Sequence, residues 1–438
     1  MAWRAREAVL LIACLLVVSP PVVHPANPHG SYHRQTSPRI ADRSSEDDRL
    51  PSNRLPKNRH HKTGVAQTNS HRLGEFESNG RDNRPPRDIF NGDVEPVTFQ
   101  PLIGVLSQPG IADSREIARV FNATEENSFA NLSYIAASYV KFIEAGGARV
   151  VPIIYNEPRR ETIKKLRLVN GLVLPGGDAN KRGKFLRTVR RLLKMAMAMN
   201  DKGDYFPIYA ECLSFEMLTI ILSSGGRKVL EPTNAKRPST LQFVGEWAKD
   251  RNMFGWMQRR LVDRLERENL TMENHKYGLT PETFNADEGL ASFFNILTTT
   301  VDDDGKEYIS TVEAKRYPFT ALQWHPEKNA YEWGNPIFPH SSDAVQITHA
   351  AGTFFANEAR KSSHKPRSRR ELYRYLIYNY DPVFTGKEGS FHYDQAYLFQ
   401  CKNASDTMCY FPKDRLGSPL EKTMPQREES DAIGREVE

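Results

Sequence analysis

Phe206-Pro-Ile-Tyr-Ala-Glu-Cys-Leu-Ser-Phe-Glu-Met-Leu218 is the stretch on which the reading of this chain turns. Apolar residues 206–209 predict a short buried strand, and the apolar spacing over 213–222 predicts a helix. Cys212 falls in the turn between them, with the small residues Ala210 and Ser214 two positions to either side. A sharp strand-to-helix turn of this kind holds a reactive side chain clear of a sheet, although its usual form has glycine at both flanking places.

Working upstream, Pro101-Leu-Ile-Gly-Val-Leu-Ser107 and Arg149-Val-Val-Pro-Ile-Ile-Tyr155 are compact apolar runs that predict buried strands. Gly171-Leu-Val-Leu-Pro-Gly-Gly-Asp178 predicts a third, ending in a glycine turn. Helical patterns occupy 134–144, 159–166 and 183–200, and 108–130 read as a loop. Strands alternating with helices at this spacing imply βαβ units. The expected class is α/β, with a central, mostly parallel sheet and helices on both faces. Ligands of such sheets sit at the carboxyl ends of the strands. The Gly176-Gly177 turn and Cys212 both fall there and are expected to face one another. Downstream, 295–300 and 306–313 flank Asp302-Asp-Asp-Gly305 and predict an antiparallel hairpin extension. Phe319-Thr-Ala-Leu-Gln-Trp324 predicts a strand running straight into His325-Pro-Glu327. Residues 342–361 and 371–380 read as helices, and 395–400 as a last strand.

Chemistry follows from what meets at those strand ends. A helix N-terminus with a histidine beside it lowers a thiol pKa from about 8.5 toward roughly 3.5–7.5. Cys212 has the helix behind it, and His325 is the candidate base. Glu327 stands two residues on, where a carboxylate can hold the other imidazole nitrogen, completing a Cys-His-Glu triad. The N–H of Leu213 is one expected oxyanion donor, and Gly177 in the facing turn is the second.

Composition bounds the rest. The chain has 438 residues and a formal net charge of +6, with the basic surplus concentrated in an N-terminal segment. That segment, 27–95, is rich in Arg, His, Asn, Ser and Pro and reads as a disordered linker or propeptide, because it cannot bury enough apolar surface to order itself. Its histidines are too irregularly spaced to suggest a metal site. No basic face on a folded domain points to nucleic acid. Arg4 and Arg6 precede an apolar run over 8–18 that is too short to span a bilayer, so 1–26 reads as a secretory signal. No membrane association is expected beyond it. Sequons at Asn122, Asn131, Asn269 and Asn403 agree with that route. If Cys14 leaves with the signal, Cys401 and Cys409 either pair or remain separate thiols, and Cys212 stays unpaired. The folded domain is expected over 96–415, with a charged, mobile tail over 416–438.

Pro175-Gly-Gly177, the stretch 206–218 and Leu322-Gln-Trp-His-Pro-Glu-Lys328 together resemble the class I glutamine amidotransferase-like superfamily. Within it, Tyr134-Ile-Ala-Ala-Ser-Tyr-Val140, Ala148-Arg-Val-Val-Pro152, Trp324-His-Pro-Glu-Lys-Asn-Ala-Tyr-Glu-Trp333 and Phe354-Phe-Ala-Asn-Glu-Ala-Arg360 resemble the gamma-glutamyl hydrolase family, in the same order from about 101 to 399. The resemblance implies a lysosomal or secreted thiol peptidase that trims folylpoly-γ-glutamates, a homodimer, and neither metal nor organic cofactor. It carries the nucleophile onto Cys212, the histidine onto His325 and the acidic third member onto Glu327. Asn274-His-Lys-Tyr277 gives His275 a substrate-side role, and Phe215-Glu216 gives Glu216 a site-shaping one. The family's Gly, Thr, Cys, Leu, Gly is here Ala210, Glu211, Cys212, Leu213, Ser214. A carboxylate pointing at the thiol would raise its pKa, so Glu211 is expected to turn away from the crevice. Two other readings compete with a hydrolase: a binding protein that kept the fold after losing activity, and an amidotransferase, which would need an acceptor for ammonia.

Overall fold

The computed structural model describes residues 96–110, 132–386 and 393–400. The signal-like run, the 27–95 segment, the sequons at Asn122, Asn131 and Asn403, Cys401, Cys409 and the 416–438 tail lie outside the described residues.

Eight strands make the main sheet: β1 (Leu102–Leu106), β2 (Arg149–Ile153), β3 (Gly171–Leu174), β4 (Ile208–Glu211), β5 (Gln242–Phe243), β6 (Phe294–Val301), β7 (Glu307–Ala314) and β8 (Phe319–Leu322). Their order is β2-β1-β3-β4-β8-β7-β6-β5. Pairing is parallel from β2 through β8 and antiparallel from β8 to β5. The class is therefore the expected one, and the β6–β7 hairpin supplies the antiparallel extension.

Alternation along the strands sorts the core into two layers. Ile103, Val105, Val150, Val173 and Tyr209 pack with helices α1 (Ala137–Ala145) and α5 (Ser342–Arg360) through residues such as Tyr139, Phe142, Ile347 and Phe355. Leu102, Leu106, Leu172, Ile208 and Ala210 pack on the opposite face. There they meet α3 (Gly183–Asn200) and α4 (Leu213–Leu222) through Val189, Leu192, Phe215 and Leu218. Between these helices in the chain, α2 (Arg159–Leu166) links β2 to β3. Each fully buried aliphatic or aromatic side chain contributes about 1.5–3 kcal/mol, so both layers are needed to hold the sheet.

Two local expectations shift. The helix expected from 134 starts at Ala137, because Leu132–Ala136 is a strand paired with Gln395–Gln400 and with Gln108–Pro109. Leu-Ser-Tyr-Ile-Ala fits either period, and only a partner distant in sequence decides it. The strand expected over 206–209 runs instead from Ile208 to Glu211, drawn forward by register with β8, where Leu322 faces Glu211. Residues 230–290, whose pattern is loose, fold into short helices and two small ribbons, one pairing Glu231–Ala235 with His275–Gly278. No helix among the described residues is long and apolar enough to cross a membrane.

Candidate active site

Cys212 ends β4 and begins α4 with φ 46° and ψ −107°. A non-glycine residue in that region is strained by about 1–3 kcal/mol and persists only where its surroundings over-determine it. Here they do. The Cys212 N–H donates to Leu322 O of β8 at 2.7 Å, and the Ser214 hydroxyl donates to Pro175 O at 2.7 Å. Ser214, one departure from the family pattern, thus ties the elbow to the facing glycine turn. Ala210, another, is fully buried in the sheet.

His325 follows β8 and is fixed by its own N–H donating to Met272 O at 2.9 Å. Its ring closes over Gly176. A Cβ placed there would stand 2.7 Å from His325 Cε1, 2.9 Å from Tyr139 Oη and 3.0 Å from Cys212 Cβ. Imidazole and thiol-bearing carbon therefore both crowd one point, and only glycine leaves room. Glu327 Oε1 lies 3.0 Å from His325 Nδ1, which assigns the proton to Nδ1 and leaves the Nε2 lone pair for base chemistry. The Gly176 N–H is taken by Tyr139 Oη at 2.9 Å. Gly177 and Leu213 line the cavity beside Cys212, while Gln108 Nε2 donates to Pro175 O and Gly176 O at 3.0 and 2.9 Å and fixes the turn.

Electrostatics of this cluster depart from the expectation of a lowered thiol pKa. Burial pushes the Cys212 thiol well up, Glu216 and Glu211 push the same way, and Lys328 opposes them. Burial also lowers His325, although Glu327 pulls it back. Burial raises Glu327, but His325 and Lys328 overcome it and hold that carboxyl at about 2. The resting site is thus a neutral thiol and a neutral imidazole backed by a carboxylate. It is a base-assisted nucleophile rather than a standing ion pair.

Glu211 is out of the cavity but not out of the cluster. Alternation puts it on the Tyr209 face of β4, toward α1, where it is fully buried. Its Oε1 accepts from Tyr139 Oη at 2.6 Å and sits 3.0 Å from His325 Nδ1.

The cavity above Cys212, about 770 Å³, is lined by Gly177, Glu216, His275 and His325 among others. Glu216 makes an ion pair with Lys181, whose ammonium lies 4.2 Å from the Tyr277 ring. His275 is held from both ring nitrogens, by Tyr277 O at 2.9 Å and Glu273 Oε2 at 3.2 Å. Every described residue singled out for the site therefore converges on one cavity wall or supports it. Sequence reasoning placed Gly176 in the turn facing Cys212 but gave no role to Tyr139 or to the cations Lys181, Arg227, Lys228, Lys236, Lys276 and Lys328 around the cavity. Lys328 adjoins the His-Pro-Glu motif, which could have marked it. Lys276 adjoins His275 in the Asn274-His-Lys-Tyr277 motif, whereas Lys181, Arg227, Lys228 and Lys236 come from segments that carry no motif.

Among known proteins, the Peptidase C26 family matches residues 110–327. Gamma-glutamyl hydrolase 1 of Arabidopsis thaliana is 45% identical over 324 residues, covering 72% of this chain and 89% of its own. The chain belongs to the gamma-glutamyl hydrolase family. Members from Mus musculus and Homo sapiens are 41% and 38% identical, each covering 61% of this chain and 83% of their own. The matched span of the family pattern runs from before Cys212 to Glu327, so it encloses Cys212, His325 and Glu327.

Proposed function

We propose that the protein hydrolyses γ-glutamyl bonds of poly-γ-glutamates, folylpolyglutamates included, through a cysteinyl acyl-enzyme. The observation that carries this reading is a strained Cys212 at a helix N-terminus, with His325 crowded against it over Gly176, opening into a cavity ringed by cations. A chain of carboxylates is the ligand such a rim attracts, and the volume is ordinary for a small-molecule site.

In the reaction, the Cys212 proton passes to His325 Nε2 as sulfur attacks the γ-carbonyl carbon. The oxyanion takes the N–H groups of Leu213 and Gly177. The C–N bond breaks, and His325 returns the proton to the leaving amine. A water then gives its proton to His325, attacks the thioester and frees the shortened product with the Cys212 thiol. Glu327 keeps the Nδ1–H oriented through both halves. His275 and Glu216 shape the wall on the substrate side.

Four sequons and the N-terminal signal support a place in the secretory route, lysosomal or exported. Of these acceptors Asn269 is described and exposed. A homodimer is the family expectation and belongs to the same proposal.

The test is glutamate release from a γ-linked glutamate peptide by the full chain and by Cys212→Ala. Release by the parent alone supports the reading. Equal release by both, or none by the parent from acid to neutral pH, overturns it.

A further inference from the structure

Two carboxyls, not one, meet the back of His325. Glu211 Oε1 and Glu327 Oε1 each lie 3.0 Å from Nδ1, which carries a single proton. Neither carboxyl reaches water, both being fully buried. As anions they would offer only acceptors. The remaining oxygens, Glu211 Oε2 and Glu327 Oε2, are buried with no donor of their own among the described residues. An oxygen of each carboxyl lies within 4.8 Å of the other, and like charges that close cannot both persist in a dry site. One proton resolves the conflict: a neutral carboxyl donates to its neighbour, and the other keeps the charge that holds Nδ1–H.

The surroundings decide which carboxyl keeps the proton. Facing Glu211 are Tyr139 from α1, Tyr209 and Cys212 from its own strand and elbow, and His325, Glu327 and Lys328 from the segment after β8. Burial and then Glu327 push Glu211 well up, and Tyr139 and Lys328 only partly oppose them. Glu327 is held at about 2. Glu211 is therefore the acid and Glu327 the carboxylate. Through Tyr139, which donates to Glu211 and accepts the Gly176 N–H, the same acid braces the turn facing Cys212.

We propose that Glu211 is a positioning residue that works as a neutral acid, sharing its proton with Glu327 to fix the His325 tautomer and bracing the Gly176 turn through Tyr139. This rests on the reading of Cys212, His325 and Glu327 as the hydrolytic triad. It turns the one charged departure at the elbow into a second support for the base. A carboxamide can replace a neutral carboxyl here, since its NH₂ donates to Glu327 and its oxygen accepts from Tyr139.

The experiment compares kcat and KM against pH for the full chain, Glu211→Gln, Glu211→Ala and Glu327→Gln, with γ-linked diglutamate as substrate. Glu211→Gln is expected to keep the parent kcat at acid pH and to lose the alkaline fall that ionisation of Glu211 imposes on the parent. Glu211→Ala is expected to lose kcat by about tenfold or more at unchanged KM, as misplacement of a base does. The infrared spectrum of the inactive Cys212→Ala protein minus that of Cys212→Ala/Glu211→Gln should show one protonated carboxylic acid band at neutral pH, the bands of other raised carboxyls such as Glu332 cancelling. That readout needs neither turnover nor the Glu211→Ala variant to fold. A Glu211→Gln profile identical to the parent's, a Glu211→Gln enzyme as impaired as Glu327→Gln, or no acid band overturns the proposal. Activity surviving in Cys212→Ala alone would instead overturn the triad reading beneath it.

Discussion

Gly176→Ala puts the closeness of His325 and Cys212 to the sharpest test. Gly176 is not held in the left-handed region, so contact alone demands glycine there. Carbon atoms in ordinary contact stand about 3.5–4.0 Å apart, whereas the new methyl would meet His325 Cε1 at 2.7 Å and Cys212 Cβ at 3.0 Å. The imidazole or the turn must therefore move by about 1 Å. None of the three neighbours is a free end: all are buried, His325 is held by Glu327, and Tyr139 Oη is held by Glu211. Overpacking of this sort costs roughly 1–3 kcal/mol of stability, while a misplacement of about 1 Å at the reacting groups costs on the order of 10²-fold in rate. The expected result is a folded protein, destabilised by roughly that amount in urea, whose kcat/KM on γ-linked diglutamate falls about a hundredfold. Gly203→Ala serves as control, because its φ of +79° is strained but nothing lies within 4 Å. It should lose stability and keep full activity. A folded Gly176→Ala enzyme with undiminished kcat/KM would refute the claim that thiol and imidazole close over that glycine.

Three further outcomes are expected. Because Glu327 is depressed to about 2 from an ordinary 4.5, it stabilises the fold above about pH 4.5 and that contribution disappears as the pH falls through 2. The stability gap between parent and Glu327→Gln in urea should therefore be widest near neutrality and close in acid, and a pH-independent gap would contradict the assignment. Lys328, almost wholly buried and 4.5 Å from the Tyr393 ring, is the charge that pulls the buried Cys212 thiol back down. Lys328→Met should slow iodoacetamide alkylation of Cys212 at neutral pH, and an unchanged rate would remove that role. Finally, exposed Arg227, Lys228, Lys236 and Lys276 line the cavity. KM for a triglutamate should rise as screening tightens from about 30 Å at 0.01 M salt to about 8 Å at 0.15 M. It should rise less in Arg227→Ala/Lys228→Ala, and a KM indifferent to salt would deny those cations a part in binding.

Local sequence determined more of this protein than its low overall hydropathy suggests. Continuous apolar runs at Leu102–Leu106 and Gly171–Leu174 and helical spacing over Gly183–Asn200 are each set by residues adjacent in the chain, so the α/β class could be read directly. The Cys212 elbow was legible for the same reason, since an apolar strand, one turn and an apolar helix are contiguous. His325 and Glu327 were legible because a strand delivers them together. What only the tertiary structure decided is whatever depends on a partner distant in sequence. Residues 134–136 became a strand because Gln395–Gln400 pairs with them. That Gly176 leaves no room for a side chain follows from His325, Tyr139 and Cys212, from three elements, converging on it. The thiol pKa was expected to fall from a helix N-terminus with a histidine beside it, but it rises because burial, a property of the assembled core, pushes it up and Glu216 and Glu211 add to the push. Glu211 shows both halves. Alternation from Tyr209 already fixed which face of the sheet it takes. That this face holds Tyr139 and the back of His325, and so makes it a proton-sharing neighbour of Glu327, follows only once α1 and the loop after β8 are packed against β4.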